Sequence, residues 1–274
     1  MIARYAQGVA PARPNRRGWQ RLLAIGITAA VSLLGAAAFA YPFLLSAPLP
    51  EAASPRASDA PVIFGLLMPL LLVLLLAELG TRRASAKMIA ALGILTAINA
   101  VLRIPVGVGD SPSFFFLPIL LGYVYGGRFG FLHGALSVFV SAVLTYGIGP
   151  WLPFQMFALG WLGMGAALLR PLGTRLPPLG EIALLAAYGY AGGMAFGMLM
   201  NLYSWPVGLS GGGLGWQPGL GLAETARRYW LFYVTTSLTW DALRGSFTAG
   251  FILLLGRPLL RELGRFQQRF DWHE

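Results

Sequence analysis

Gly149-Pro150-Trp151-Leu152-Pro153-Phe154-Gln155-Met156 interrupts an apolar chain near its middle, and another membrane-length run follows at once. Water is absent from the hydrocarbon core. An interrupted backbone and an amide such as Gln155 therefore persist there only where protein or an aqueous cavity satisfies them. The stretch predicts an all-α polytopic membrane protein with a solute site beside the break. Composition agrees, with 57% hydrophobic and 11% charged residues over 274 positions, and a mean hydropathy of +0.67. A soluble domain rarely has this profile.

A membrane helix needs roughly 20 apolar residues to cross about 30 Å of hydrocarbon. Eight stretches approach that length, near 22–46, 61–79, 88–104, 113–127, 129–148, 151–169, 181–204 and 229–255. The shortest, 113–127, begins Phe114-Phe115-Phe116 and ends Gly126-Gly127, which leaves little margin for a crossing. Arginine and lysine favour cytoplasmic loops. They cluster before the first stretch (Arg16, Arg17, Arg21), after the second (Arg82, Arg83, Lys87), and at Arg128, Arg170, Arg175 and from Arg257 to Arg269. Both termini are expected in the cytoplasm of a cytoplasmic (inner or plasma) membrane, with Arg227-Arg228 the main exception on the outer side. The net charge of +10 then reads as topology and attraction to anionic lipid, with no nucleic-acid partner expected. Arg16-Arg17 with Ala38-Phe39-Ala40 has the outline of a cleavable signal, but its apolar run is too long for a signal core, and a retained anchor is expected.

Polarity divides the chain. The second stretch carries no polar side chain through Leu66–Leu76 and the first offers only Thr28 and Ser32, so this pair is expected to face lipid. The expected organisation is a basic cytoplasmic tail (1–21), a two-helix hairpin with an external loop (22–87), a six-helix membrane unit (88–256) and a second basic tail (257–274). Small residues let helices approach closely in lipid. They line Gly189, Gly193 and Gly197 in one stretch and Gly130 and Gly134 in another, where internal packing is the ordinary reading. Ala86, Ala90, Gly93 and Ala97, beginning at the cytoplasmic side, are the best candidates for docking another subunit.

Polar and aromatic residues converge on the outer half: Asn99 and Arg103; Trp151, Phe154 and Gln155; Asn201, Tyr203 and Trp205; Trp240, Asp241 and Arg244. Such a set suits a small solute held by amides and stacked rings. Each has a plainer reading. Tryptophan and tyrosine gather at membrane interfaces, Asp241 and Arg244 are spaced to neutralise one another, and the amides can bond between helices. His133, Ser137, Ser141 and Thr145 form a polar line best read as packing.

Catalytic constellations are poor. The chain has no cysteine and two histidines, His133 and His273, which excludes thiol catalysis and a multi-histidine metal centre. Gly208-Leu209-Ser210-Gly211 lacks a histidine on its side of the membrane. The only lysine, Lys87, precedes Met88, so no ATP-binding Gly-Lys-Ser/Thr ending exists. No enzyme activity and no cofactor are expected. A membrane enzyme or lipid-handling protein using Asp241 and Arg244, or a structural assembly protein, is the alternative.

From Met88-Ile89-Ala90-Ala91-Leu92 onward the chain resembles the substrate-binding S component of energy-coupling factor (ECF) transporters, which import vitamins and other micronutrients. The matching residues are Leu117-Pro118-Ile119-Leu120-Leu121-Gly122 leading to Gly126-Gly127-Arg128, and Pro150-Trp151-Leu152-Pro153-Phe154-Gln155-Met156-Phe157-Ala158-Leu159-Gly160. The resemblance implies a six-helix unit that binds a micronutrient near the external face. Its partners would be a transmembrane coupling subunit and two cytoplasmic ATPases, which alone use ATP. It implies that Ala86, Ala90 and Ala97 touch the coupling subunit and that 104–112 forms a lid. The two additional N-terminal spans depart from that pattern.

Overall fold

A computed structural model describes the backbone of residues 16–44, 55–80, 86–104, 112–208, 214–217 and 219–269. Most of the candidate lid (105–111), Arg82 and Arg83, Leu209–Gly213 and His273 lie outside the described residues, as do parts of both tails and of the loop after the first helix. Among the described residues the regular structure is entirely helical. The helices are α1 (Arg16–Leu44), α2 (Pro55–Gly80), α3 (Ala86–Leu102), α4 (Phe116–Tyr125), α5 (Gly127–Leu144), α6 (Leu152–Ala166), the single turn α7 (Arg170–Gly173), α8 (Pro178–Gly208), α9 (Leu222–Thr236) and α10 (Leu238–Arg269). Among the described residues four segments are long and apolar enough to cross a membrane: Gly26–Leu44, Gly127–Leu144, Leu152–Gly173 and Pro178–Pro206. Pro61–Val73, Ala86–Leu102 and Phe116–Tyr125 are shorter apolar helices. The chain is a helical membrane protein on that basis.

The break that drew attention in the sequence is a helix start. Pro153 sits in the first turn of α6, where its missing N–H costs nothing because that donor has no intrahelical acceptor. Between α4 and α5 the chain reverses at Gly126, whose φ of 97° lies in the region that favours glycine. Two boundaries differ from expectation. The stretch 229–255 is not one helix, because the ladder breaks at Ser237 between α9 and α10. The expected tail from 257 continues α10 as far as Arg269, with Arg261, Glu262 and Arg265 exposed on it.

Glycines set the tightest contacts. Gly122 of α4, Gly130 of α5 and Gly163 of α6 meet backbone to backbone, and a Cβ on Gly122 or Gly130 would overlap the Gly163 carbonyl. Gly134 meets the Leu159 carbonyl, so α5 and α6 run antiparallel in close register. On α8, Gly193 lies against Gly245 of α10, and Gly197 against the Asp241 carboxylate. The stripes on α5 and α8 are thus internal. The stripe on α3 is not: Ala86, Ala90, Gly93 and Ala97 are all exposed, and a Cβ on Gly93 would touch nothing.

The N-terminal hairpin is docked rather than wholly given to lipid. Phe39 of α1 packs edge-on against Phe154, with ring centroids 4.9 Å apart, and tilts over Trp161. Ser32 accepts a 3.1 Å hydrogen bond from Trp161 Nε1. Gly35 lies against the Phe157 ring, while Leu67, Met68 and Leu71 of α2 are buried in the same core. Phe43 stacks on Trp205 and meets Trp216 edge-on, joining a second aromatic cluster with Phe232 and Tyr229. The pattern showed no polar residue to anchor α2 and hid an aromatic face on α1.

Gly130→Ala should lower thermal stability in detergent by about 1–3 kcal/mol, because the added methyl forces a backbone contact apart. Gly93→Ala, with open space for its methyl, should leave the melting temperature within a degree or two of the parent, allowing about 0.5 kcal/mol either way.

Candidate solute site

Three elements end together where α3 finishes, α5 finishes and α6 begins. Arg103 lies just beyond α3. Its Nη1 donates to Ser141 Oγ of α5 at 2.9 Å and its Nη2 to Gln155 Oε1 of α6 at 3.1 Å. Its guanidinium stands over the Phe114 ring, 5.3 Å from the centroid. Ser141 passes its own proton to the Val138 carbonyl, and Thr145 donates to the Ser141 carbonyl. Ser113 Oγ donates to the Leu102 carbonyl at 2.8 Å, tying the two ends of the candidate lid together. The geometry therefore unites Arg103 and Gln155, which sequence separates by 52 positions.

Asn99 lies one turn before Arg103 on α3. It is fully buried, and neither its amide oxygen nor its amide nitrogen has a hydrogen-bond partner. Phe154, the neighbour of Gln155, turns the other way, packing against Tyr203 with centroids 4.6 Å apart and against Phe39. Asn201 is half-buried, with its amide nitrogen unpartnered. Trp205 is buried, donating Nε1 to the Leu214 carbonyl at 2.7 Å. Trp151 and Trp240 are 42% and 56% exposed. These two lie on outward surfaces and join none of the buried clusters.

Asp241 and Arg244 form a second centre. Arg244 Nη1 bonds Asp241 Oδ1 at 2.5 Å, with both side chains largely buried. The guanidinium also lies over Phe115 and Phe196, 5.6 Å from each centroid. Tyr233 faces the same carboxylate without a well-formed hydrogen bond. The absence of a side chain at Gly197 makes room for Asp241. Phe114 and Phe115, whose rings meet edge-on at 6.0 Å, thus carry one arginine each and link the two centres. In the sequence these phenylalanines read only as the start of a short span, and Ser141 as part of a packing stripe. Two adjacent aromatics at a helix entry, with arginines elsewhere, were the available signal.

Beyond the bundle core, α9 carries a surface clamp. Glu224 accepts from Arg227 and Arg228, each at 2.8 Å. The Arg227 bonds, then the Arg228 bond, pull its carboxyl down to about 2. A depressed acid contributes above its unfolded pKa and loses that contribution as pH falls through the folded value. The clamp therefore holds across the physiological range, though solvent screening keeps it weak.

The chain matches no protein-family model, no curated protein and no solved structure.

Removing one member of the buried pair leaves an uncompensated charge. Asp241→Ala should thus cost about 3–5 kcal/mol in a thermal or denaturant unfolding series, and Asp241→Leu with Arg244→Met markedly less. A double variant no more stable than Asp241→Ala would show that the pair does more than neutralise itself.

Proposed function

We propose that the chain is the membrane-embedded solute-capture subunit of an ATP-driven importer of the energy-coupling factor type, taking up a vitamin or other small micronutrient. The observation that carries this reading is the two-sided character of α3. One side presents Thr96 and Asn99 to the bundle and leads to Arg103, bonded to Ser141 and Gln155. The other presents Ala86, Ala90, Gly93 and Ala97, with Ile94 and Ile98, to the outside. A helix that lines a polar site on one side and offers close backbone approach on the other suits capture coupled to a partner subunit. In this reading α1, α2, α3, α4, α5, α6, α8 and α10 are the eight spans, α9 lies along the outer surface, and both termini are cytoplasmic. Arg103 and Gln155 then stand at the external end. A transmembrane coupling subunit would dock on α3, and two ATPases would supply the energy that this chain, without an ATP-binding loop, cannot. The enzyme alternative draws no support from Asp241 and Arg244, whose mutual bond and flanking phenylalanine rings suit a closed structural pair.

Native mass spectrometry of protein gently purified from its own cells should show a stoichiometric small molecule. A lipid, or nothing from well-folded protein, would count against capture. Gln155→Ala should weaken retention by about 1–3 kcal/mol, since it leaves polar groups unpaired. Ala90→Leu should abolish co-purification of a membrane partner while keeping the small molecule, and parallel loss of both would mean misfolding instead.

A further inference from the structure

The polar cluster at Arg103 does not end there. α3 and α5 run in the same direction. Arg103 bonds Ser141 at one level, and His133 lies beside the Leu95 backbone two turns below, without a well-formed hydrogen bond there. That register sets Asn99 level with Ser137, and Thr96 close to His133. All four side chains are buried: Asn99, His133 and Ser137 completely and Thr96 to 4% exposure. No side-chain donor or acceptor among them has a well-formed hydrogen bond: Thr96 Oγ1, both amide atoms of Asn99, both imidazole nitrogens of His133, and Ser137 Oγ. A buried polar group without a partner is costly, and more so where hydrocarbon surrounds the bundle. Six such atoms in one seam are hard to reconcile with a seam that stays closed.

We infer that the α3–α5 seam is the inner half of the solute site, a hydrogen-bonding slot that opens as α3 parts from α5. It takes an uncharged small molecule bearing both donors and acceptors. This rests on the reading of the chain as a capture subunit. The ligand class follows from the lining. Two hydroxyls, an amide and an imidazole offer donors and acceptors together, and no carboxylate, guanidinium or ammonium stands among the four. Below the level of Arg103, a charged portion of a solute would find no counter-charge among these four side chains. The two pairs, Thr96 with Asn99 and His133 with Ser137, are spaced three and four residues apart, so each forms a short ladder on one helix face. The ladders face each other across the seam and grip a molecule from two edges. Among the described helices α3 has one main neighbour, α5, and its remaining face is exposed, so its parting from α5 would disrupt little other helix packing.

The chain has no cysteine, so an introduced thiol reports without background. In lipid nanodiscs, Ser137→Cys should react with N-ethylmaleimide about tenfold faster than Ala135→Cys, because only a thiol that meets water ionises to the reactive thiolate. Ala135 is an equally buried, apolar position on the same helix. Equal, slow labelling would overturn the slot. Native mass spectrometry supplies the second arm. Asn99→Leu should reduce the fraction of protein carrying its co-purified small molecule about tenfold, and Ser137→Ala about fivefold, as expected for lost hydrogen bonds. Full retention in both variants, alongside loss in Gln155→Ala, would confine the site to the Arg103 end and reject the seam. If the unaltered protein carries no small molecule, the capture reading fails, and the solute slot falls with it even where Ser137→Cys labels quickly.

Discussion

A guanidinium among apolar helices must find hydrogen bonds, counter-charge or π-density within the protein, and meeting that requirement twice organises one end of this bundle. Arg103 and Arg244 come from opposite parts of the chain, yet both are seated on the entry of α4, over Phe114 and Phe115 respectively. Phe116 completes the run by stacking on Phe251 of α10 at 5.5 Å. The entry of the short α4 thus touches both arginine centres, while α6 also meets α8 directly, where Tyr188 donates to the Leu162 carbonyl. The solutions differ. Arg244 is closed on the adjacent Asp241 carboxylate, and Arg103 bridges α5 and α6 through Ser141 and Gln155. The first closes within one helix, whereas the second ties three helix ends together.

The hairpin bears on the same end. Phe39 covers the back of Phe154, and Phe43 enters the Trp205–Trp216–Phe232 cluster. These contacts hold the start of α6 and the end of α8 from outside, on elements other than α3. The hairpin therefore braces the break at Pro150–Pro153 and leaves the small-residue face of α3 exposed. The hairpin and the exposed face of α3 thus occupy different flanks.

What could be read from the sequence follows the range of each signal. Composition and run length depend on the membrane alone, so a helical membrane protein was legible. The glycine stripes on α5 and α8 read correctly as internal. Arg103 and Gln155 were both picked out as polar exceptions, but their bond was not, because residue type carries no information on which distant helix end lies adjacent. The break at Ser237 was missed since 229–255 stays apolar enough to read as one run, and hydropathy does not register a missing backbone hydrogen bond. The Phe39 and Phe43 contacts were hidden for a related reason. In lipid, an aromatic residue that packs on protein and one that faces acyl chains look alike in composition.

The glycine contacts also set which helix pairs are locked together. Backbone-to-backbone contact locks α4, α5 and α6 through Gly122, Gly130 and Gly163, and locks α8 to α10 through Gly193 and Gly245. Close-packed interfaces of this kind give way only in discrete steps, since any small displacement forfeits dispersion across the whole contact. No such glycine joins α3 to α5. Gly93, the one glycine of α3, faces outward and touches nothing, and the seam between the helices is filled instead by polar side chains that do not satisfy one another. The seam with these unpartnered polar atoms therefore belongs to a helix that no close glycine contact locks to α5. Unpaired polarity lowers the cost of opening, and water or a solute recovers the missing hydrogen bonds. The opposite face of α3, with Ala86, Ala90, Gly93 and Ala97, stays exposed whatever the seam contains.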